Sequence, residues 1–287
     1  MSCTRIPTLR SLLTVVTALA LMAATSASAG TLVEFPNLPD QQPQRLFGYL
    51  ARPDGGLSAI AGGASANTAP YPAVVVLHGC SGISSHSAAI SDRLGSWGYV
   101  ALTIDTLGSR GLPSRCGGGH RLSQASDAYA AMRYLAALED VDANRIAVLG
   151  QSMGGSSALF TVNRDFLARE FPERFGAAVA YYPACEIPAA SLTAPVLILI
   201  GDKDEWNPAD QCRRMVEKAQ PGGAPIALTV YPGVHHAFDV AALKPGVRSS
   251  GLWIEYNEAA TKDAEAKVRA FLATHLGNLP GEKPRSP

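Results

Sequence analysis

Six short apolar runs, separated by helix-like segments, constrain this chain more than any other feature. They are AVVVLH (73–78), YVALTID (99–105), RIAVLG (145–150), AAVAYY (177–182), APVLILIG (194–201) and IALTVY (226–231). Val, Ile and Leu sit on successive positions in them, not on alternate ones. That is the pattern of strands buried on both faces, which occur in parallel sheets covered by helices. A further run, LFGYLA (46–51), reads as a strand, whereas residues 30–45 are polar and proline-bearing. Helical patterns are expected over 87–95, 123–138, 156–170, 208–218 and 258–275. In the second, Ala128, Met132, Leu135 and Leu138 share a stripe and Ser123 is the expected N-cap. Strand then helix, repeated, predicts a mostly parallel, doubly wound α/β sheet flanked by helices, in a single domain. No internal repeat is visible.

The amino-terminal segment reads differently. Arg5 and Arg10 precede SLLTVVTALALMAA, an uncharged stretch short for a bilayer span, which runs into Ala27-Ser28-Ala29, a small-residue cleavage pattern. Residues 1–29 are therefore expected to be a signal peptide, removed to leave an exported domain over 30–287 in the periplasm or outside the cell. A retained membrane anchor is the competing reading. Losing Arg5 and Arg10 takes 24 Lys+Arg against 24 Asp+Glu to 22 against 24, a balance that favours neither nucleic acid nor a membrane surface as partner. It also removes Cys3, leaving Cys80, Cys116, Cys185 and Cys212. An even count in an oxidising compartment predicts two disulfides, with three possible connectivities. The spacing is not that of a paired-cysteine zinc site, and no metal or cofactor is expected. Residues 54–70, mostly Gly, Ala, Ser and Pro, read as a flexible surface loop, and 279–287 as a disordered tail.

In a parallel sheet, ligands bind at the carboxyl ends of the strands. The RIAVLG run leads straight into Gln151-Ser152-Met153-Gly154-Gly155. Glycines two residues either side of Ser152 permit a tight strand-to-helix turn that lifts the hydroxyl clear of the sheet and aims the Met153 amide toward the same point. Serine is a poor nucleophile unless a base lies within reach, itself held by a carboxylate, and for this turn the chain order is serine, acid, histidine. After APVLILIG come Asp202, Asp204, Glu205 and Asp210. Asp204 is favoured because it lies far enough past the strand end to turn back over the sheet edge, and Asp202 is the alternative. After IALTVY come His235 and His236, either of which is placed to be the base. The AVVVLH run ends in His78-Gly79-Cys80-Ser81-Gly82, where a glycine turn can present the Cys80 amide opposite that of Met153 as an oxyanion hole. His78 is read as supporting the loop.

LHGCSG (77–82), IDTLGSRG (104–111), GQSMGG (150–155), GDKDEWNP (201–208) and YPGVHHAF (231–238) together make the chain resemble an α/β-hydrolase, and more narrowly the dienelactone hydrolase family. The resemblance implies an ester or lactone hydrolase with a nucleophile, Asp and His triad. The family's GxxD and HxF patterns fall on Asp204 and His236. Founding members use a cysteine nucleophile, so Ser152 shifts the expectation from dienelactones toward general carboxylesters. Under the implied fold, Cys80 is expected to pair with Cys116 and Cys185 with Cys212, tying down loops beside the oxyanion hole and beside Asp204.

The expected reaction is acyl transfer through Ser152, His236 and Asp204, acting as a monomer on a small-molecule ester or lactone. Pocket residues are expected among Tyr181, Tyr182, Arg110, His120 and Trp206. For Arg110 and His120 the choice is between a substrate carboxylate and a structural salt bridge. Rival readings are a peptidase or other acyl hydrolase of the same fold, and a non-catalytic exported binding protein.

Overall fold

Val74, Val75, Val76 and Leu77 are all fully buried on successive positions, so this strand has apolar cover on both faces. It belongs to an eight-stranded sheet in a computed structural model that describes residues 30–39, 41–42, 44–53, 70–112, 116, 120–219 and 223–277. The proposed signal segment, the 54–70 loop apart from Pro70, and the 279–287 tail lie outside the described residues. The strands are β1 (Thr31–Pro36), β2 (Arg45–Ala51), β3 (Tyr71–Leu77), β4 (Val100–Asp105), β5 (Val141–Gln151), β6 (Ala178–Tyr181), β7 (Val196–Gly201) and β8 (Ile226–Tyr231). Their spatial order is β1-β2-β4-β3-β5-β6-β7-β8. β1 and β2 run antiparallel to each other and β2 antiparallel to β4, and every pair from β4 to β8 is parallel. This is the α/β-hydrolase fold.

The helices are α1 (Ser85–Ser96), α2 (Arg121–Ala136), α3 (Met153–Thr161), α4 (Ala209–Glu217) and α5 (Glu258–Leu276). The chain steps one way from β3 to β4 and the other way from β4 through β8, so right-handed crossovers place α1 on one face and α2 to α4 on the other. An Arg93–Glu265 ion pair (2.6 Å) joins α1 to α5. No helix among the described residues is long and apolar enough to cross a membrane.

The structure differs from the sequence reading at four places. Residues 31–36 form β1, an edge strand whose one fully buried side chain, Phe35 (1% exposed), pairs in register with Leu46. A strand with one buried position has no apolar run to detect. α2 begins at Arg121 with His120 as its cap residue, so Ser123 lies inside the first turn and does not cap. The helix expected over 156–170 starts earlier, at Met153, and stops at Thr161. Just beyond, the Asn163 side chain accepts the Asp165 amide (2.9 Å), a local bond that competes with helical continuation. Finally, residues expected to be loop form a hairpin of β9 (Val247–Ser249) and β10 (Leu252–Ile254). Its turn residues Ser250 and Gly251 both have positive φ (50° and 84°), as a two-residue hairpin turn of the favoured hand requires.

The junction of β5 with α3 leaves no room for side chains. A Cβ on Gly150 would overlap the Gly154 carbonyl, and one on Gly154 the Leu77 carbonyl. Gly150→Ala is therefore expected to cost on the order of 3 kcal/mol, read from urea denaturation midpoints. Gly79→Ala, where the added Cβ meets nothing closer than 3.7 Å, is expected to cost much less.

Candidate active site

Ser152 sits between the last residue of β5 and the first of α3, at φ 53° and ψ −113°. This is a strained conformation for a residue with a Cβ, and such strain persists only where the surroundings hold it. The Ser152 amide donates to the Tyr181 carbonyl of the neighbouring strand (2.9 Å), and the Ser156 amide donates to the Ser152 carbonyl (2.9 Å). Met153 opens α3, so its amide is among the first-turn donors that have no acceptor within the helix.

His236 Nε2 lies 2.9 Å from Ser152 Oγ, and His236 Nδ1 lies 2.7 Å from Asp204 Oδ2. A carboxylate only accepts, so Nδ1 carries the proton and Nε2 is left as the acceptor facing the serine hydroxyl. Asp204 is itself held: its Oδ1 accepts the amides of Trp206 (2.9 Å) and Asn207 (2.8 Å). Both Asp204 and His236 are 5% exposed. The alternatives face elsewhere. Asp202 accepts the Gly233 amide (2.7 Å) at an exposed position, and His235 Nδ1 lies 3.0 Å from the Lys203 carbonyl, where it can donate. The His236 ring is flanked by two aromatics, Trp206 stacked at 5.7 Å and Tyr182 edge-on at 4.5 Å.

Beyond β3, the Gly82 amide donates to the Gly79 carbonyl (3.1 Å), closing a tight turn around Cys80 and Ser81. Cys80 is bonded to Cys116, and Cys185 to Cys212. His78 anchors the turn from below. Its Nε2 accepts the Thr106 amide (3.3 Å), so Nδ1 carries the proton and donates to the Gly79 carbonyl (2.7 Å). The Gln124 side chain donates to the His78 carbonyl (3.0 Å). Burial holds the His78 imidazole below its ordinary pKa of 6.5.

A cavity of about 380 Å³ opens over Ser152. Of the expected pocket residues, Tyr182 and Trp206 line it, and Tyr181, Arg110 and His120 do not. Tyr181 is buried, its ring centroid 5.9 Å from that of Phe238. Arg110 instead makes a two-pronged ion pair with buried Asp127 (2.7 Å each). Asp127 lies 17 residues further along, inside α2, and gave no signal of this pairing. His120 is the residue before α2. The cavity's apolar wall comes from residues that sequence reasoning missed, Val240, Ala242, Leu243 and Ile254. They lie on the segment between His236 and α5 that carries the β9–β10 hairpin, and the Ser250-Gly251 turn was the one available signal for it. Gln151, His86 and Asp239, which cluster beside Ser152, were missed as well. Among the described residues no group of three or more His, Cys, Asp or Glu is placed to hold a metal ion.

Comparison with known proteins gives a consistent placement. A family model described as the dienelactone hydrolase family matches residues 58–276. An uncharacterised protein of Mycobacterium tuberculosis is 33% identical over 183 residues, which cover 58% of this chain and 63% of that protein's length. A Bradyrhizobium protein described as a "probable 2-oxo-3-(5-oxofuran-2-ylidene)propanoate lactonase" is 28% identical over 213 residues, 66% of this chain and 77% of the relative. Among solved structures, esterase 2 of Thermogutta terrifontis superposes with a TM-score of 0.62 at 18% identity, covering 90% of this chain and 97% of that one, a likeness of fold.

The depressed pKa of His78 has a consequence for stability. The unfolded chain takes up a proton near 6.5 while the folded one resists it, so this contribution is complete above pH 6.5 and is lost as pH falls through the folded value. His78→Asn is expected to flatten the decline in Tm between about pH 7 and about pH 5, above the range of ordinary carboxylates. His275, also lowered by burial, titrates in the same window in both proteins, so the difference between them isolates His78.

Proposed function

The chain belongs to the dienelactone hydrolase family, and from that premise we propose that it is a serine hydrolase cleaving carboxylic esters or lactones through an acyl-enzyme intermediate. The observation that carries this reading is the continuous hydrogen-bonded line from Asp204 Oδ2 through His236 to Ser152 Oγ, at 2.7 and 2.9 Å. It opens onto a cavity large enough for a small ester.

Ser152 Oγ attacks the substrate carbonyl carbon as its proton passes to His236 Nε2. Asp204 stabilises the imidazolium so formed and keeps Nδ1 protonated. The amides of Cys80 and Met153 receive the oxyanion, and one such donor contributes about 3 kcal/mol of transition-state stabilisation. Collapse of the tetrahedral species breaks the ester C–O bond, and His236 returns its proton to the leaving alkoxide. Water then attacks the acyl-serine as its proton passes to His236, and collapse of this second tetrahedral species breaks the acyl–Oγ bond while His236 returns the proton to Ser152 Oγ, releasing the acid. The flanking rings of Trp206 and Tyr182 hold the imidazole in place, and the stacked Trp206 presents its π-face to it as its charge changes.

The apolar wall of Val240, Ala242, Leu243 and Ile254 supports a substrate with an apolar portion. Two disulfides support the reading of residues 1–29 as an export signal and of an oxidising compartment as the site of action.

Ser152→Ala is expected to lower kcat on p-nitrophenyl butyrate by at least about 10³-fold with an unchanged near-UV circular dichroism spectrum. The same substitution should abolish labelling by a fluorophosphonate probe. Turnover retained by the variant would overturn the assignment. A second outcome concerns Cys80, whose amide we assign to the oxyanion while its side chain is tied to Cys116. The Cys80→Ser/Cys116→Ser pair is expected to lose about tenfold or more in kcat, through a loosened oxyanion loop, with KM changing less. Steady-state kinetics on the folded double variant checks it.

A further inference from the structure

Among the described residues, four other than glycine hold a positive φ: Ser152 (53°), Tyr182 (38°), Ala237 (59°) and Ser250 (50°). Ser250 is explained by its hairpin turn. The other three surround the site: the proposed nucleophile, the ring edge-on to His236, and the residue that follows His236. Three strained positions so close together need a common restraint.

One buried carboxylate touches the environment of all three. Asp239 lies two residues beyond Ala237, with its side chain 6% exposed. Its Oδ2 accepts the Gln151 side-chain amide at 2.5 Å, and Gln151 is the residue immediately before Ser152. Its Oδ1 accepts the Tyr182 hydroxyl at 2.6 Å. His86 Nε2, in the first turn of α1, lies 3.2 Å from Oδ2 and 2.7 Å from Gln151 Nε2. β5, the end of β6, α1 and the His236 loop thus converge on a single side chain, and nothing in the acyl-transfer mechanism uses it.

A carboxylate in this position is costly unless every oxygen is satisfied. Burial pushes Asp239 up, but the contact with His86 and the bonds from the Tyr182 hydroxyl and the Gln151 amide outweigh it and hold the acid below its ordinary value. Burial likewise holds the Tyr182 hydroxyl far above its ordinary value, so it stays protonated and donates. The partners are arranged for the charged form, which binds donors more strongly than a neutral acid would.

We propose that Asp239 is a positioning residue of this site, whose carboxylate, acting through Gln151, Tyr182 and His86, holds Ser152, Tyr182 and Ala237 in the strained geometry that aligns Ser152 with His236. The proposal rests on the reading of Ser152 and His236 as nucleophile and base, and it adds a residue that touches neither the substrate nor the reacting atoms.

The test is Asp239→Asn in the full chain, which keeps the shape and removes the charge. The expected result is a fall in kcat for p-nitrophenyl butyrate on the order of 10- to 100-fold, with KM within about twofold, since misalignment by a fraction of an ångström slows chemistry more than binding. Amide hydrogen exchange over 151–153 and 236–239 should quicken, while exchange in β3 and β7 stays at the wild-type rate. Tyr182→Phe, which removes one donor and keeps the ring beside His236, should lower kcat less, and the double variant should be no slower than Asp239→Asn alone. A kcat within twofold of wild type, unchanged exchange at the site, or fully additive effects of the two substitutions would each overturn the proposal. A wild-type protein that hydrolyses no ester would instead count against the hydrolase reading, and the exchange measurement would still decide whether Asp239 holds these segments.

Discussion

Backbone-to-backbone contact at the β5–α3 junction is the constraint on which the remainder of the site depends. Gly150 lies against the Gly154 carbonyl, Gly154 against the Leu77 carbonyl of β3, and Gly155 against the Tyr181 carbonyl of β6. With no Cβ at these positions, α3 can start one residue after Ser152 and still pack on three strands. The short radius of that turn forces Ser152 into positive φ and projects its hydroxyl above the carboxyl edge of the sheet. The other residues of the proposed site are reached from that edge: the Cys80 turn from β3, Asp204 from β7 and His236 from β8.

The electrostatics follow the same economy. Three ionisable or hydrogen-bonding assemblies are buried around Ser152, each closed on itself. Asp204 accepts two amides and faces His236 Nδ1. His78 is held neutral between Thr106 and Gly79. Asp239 collects Gln151, Tyr182 and His86. Polar groups satisfied in this way can be removed from water without large penalty, and they specify one arrangement of the loops more sharply than apolar contacts would. The two disulfides act on the same loops covalently, one at the Cys80 turn and the other joining the segment after β6 to α4.

The central strands were legible because burial on both faces writes a continuous apolar run, as in Val74 to Leu77 and Val196 to Ile200. β1 was not, since only Phe35 in it is fully buried and it therefore writes no apolar run. The end of α3 was missed because it is set by the Asn163 side chain bonding the Asp165 amide, which leaves no trace in the pattern of apolar residues. Ser152, the Cys80 turn and the loops bearing Asp204 and His236 could be picked out because each follows a strand end. Arg110 could not be assigned, since a guanidinium serves a substrate carboxylate or a buried Asp127 equally well until the distance between them is known.

What the sequence by itself determined is the class of fold and the chain order of the chemistry-bearing loops, because strand periodicity and strand-end motifs are local properties. What only the tertiary structure decided is which side chains meet. Asp204, not Asp202, faces His236. Tyr182, not Tyr181, turns its ring to the site, through a positive φ that no local pattern encodes. Asp239 joins residues 88 and 57 positions away in the chain. The pocket wall comes from a segment whose composition resembles any surface loop. Such pairings depend on the register and twist of the assembled sheet, which set distances between residues far apart in sequence, and these exist only once the whole core has packed.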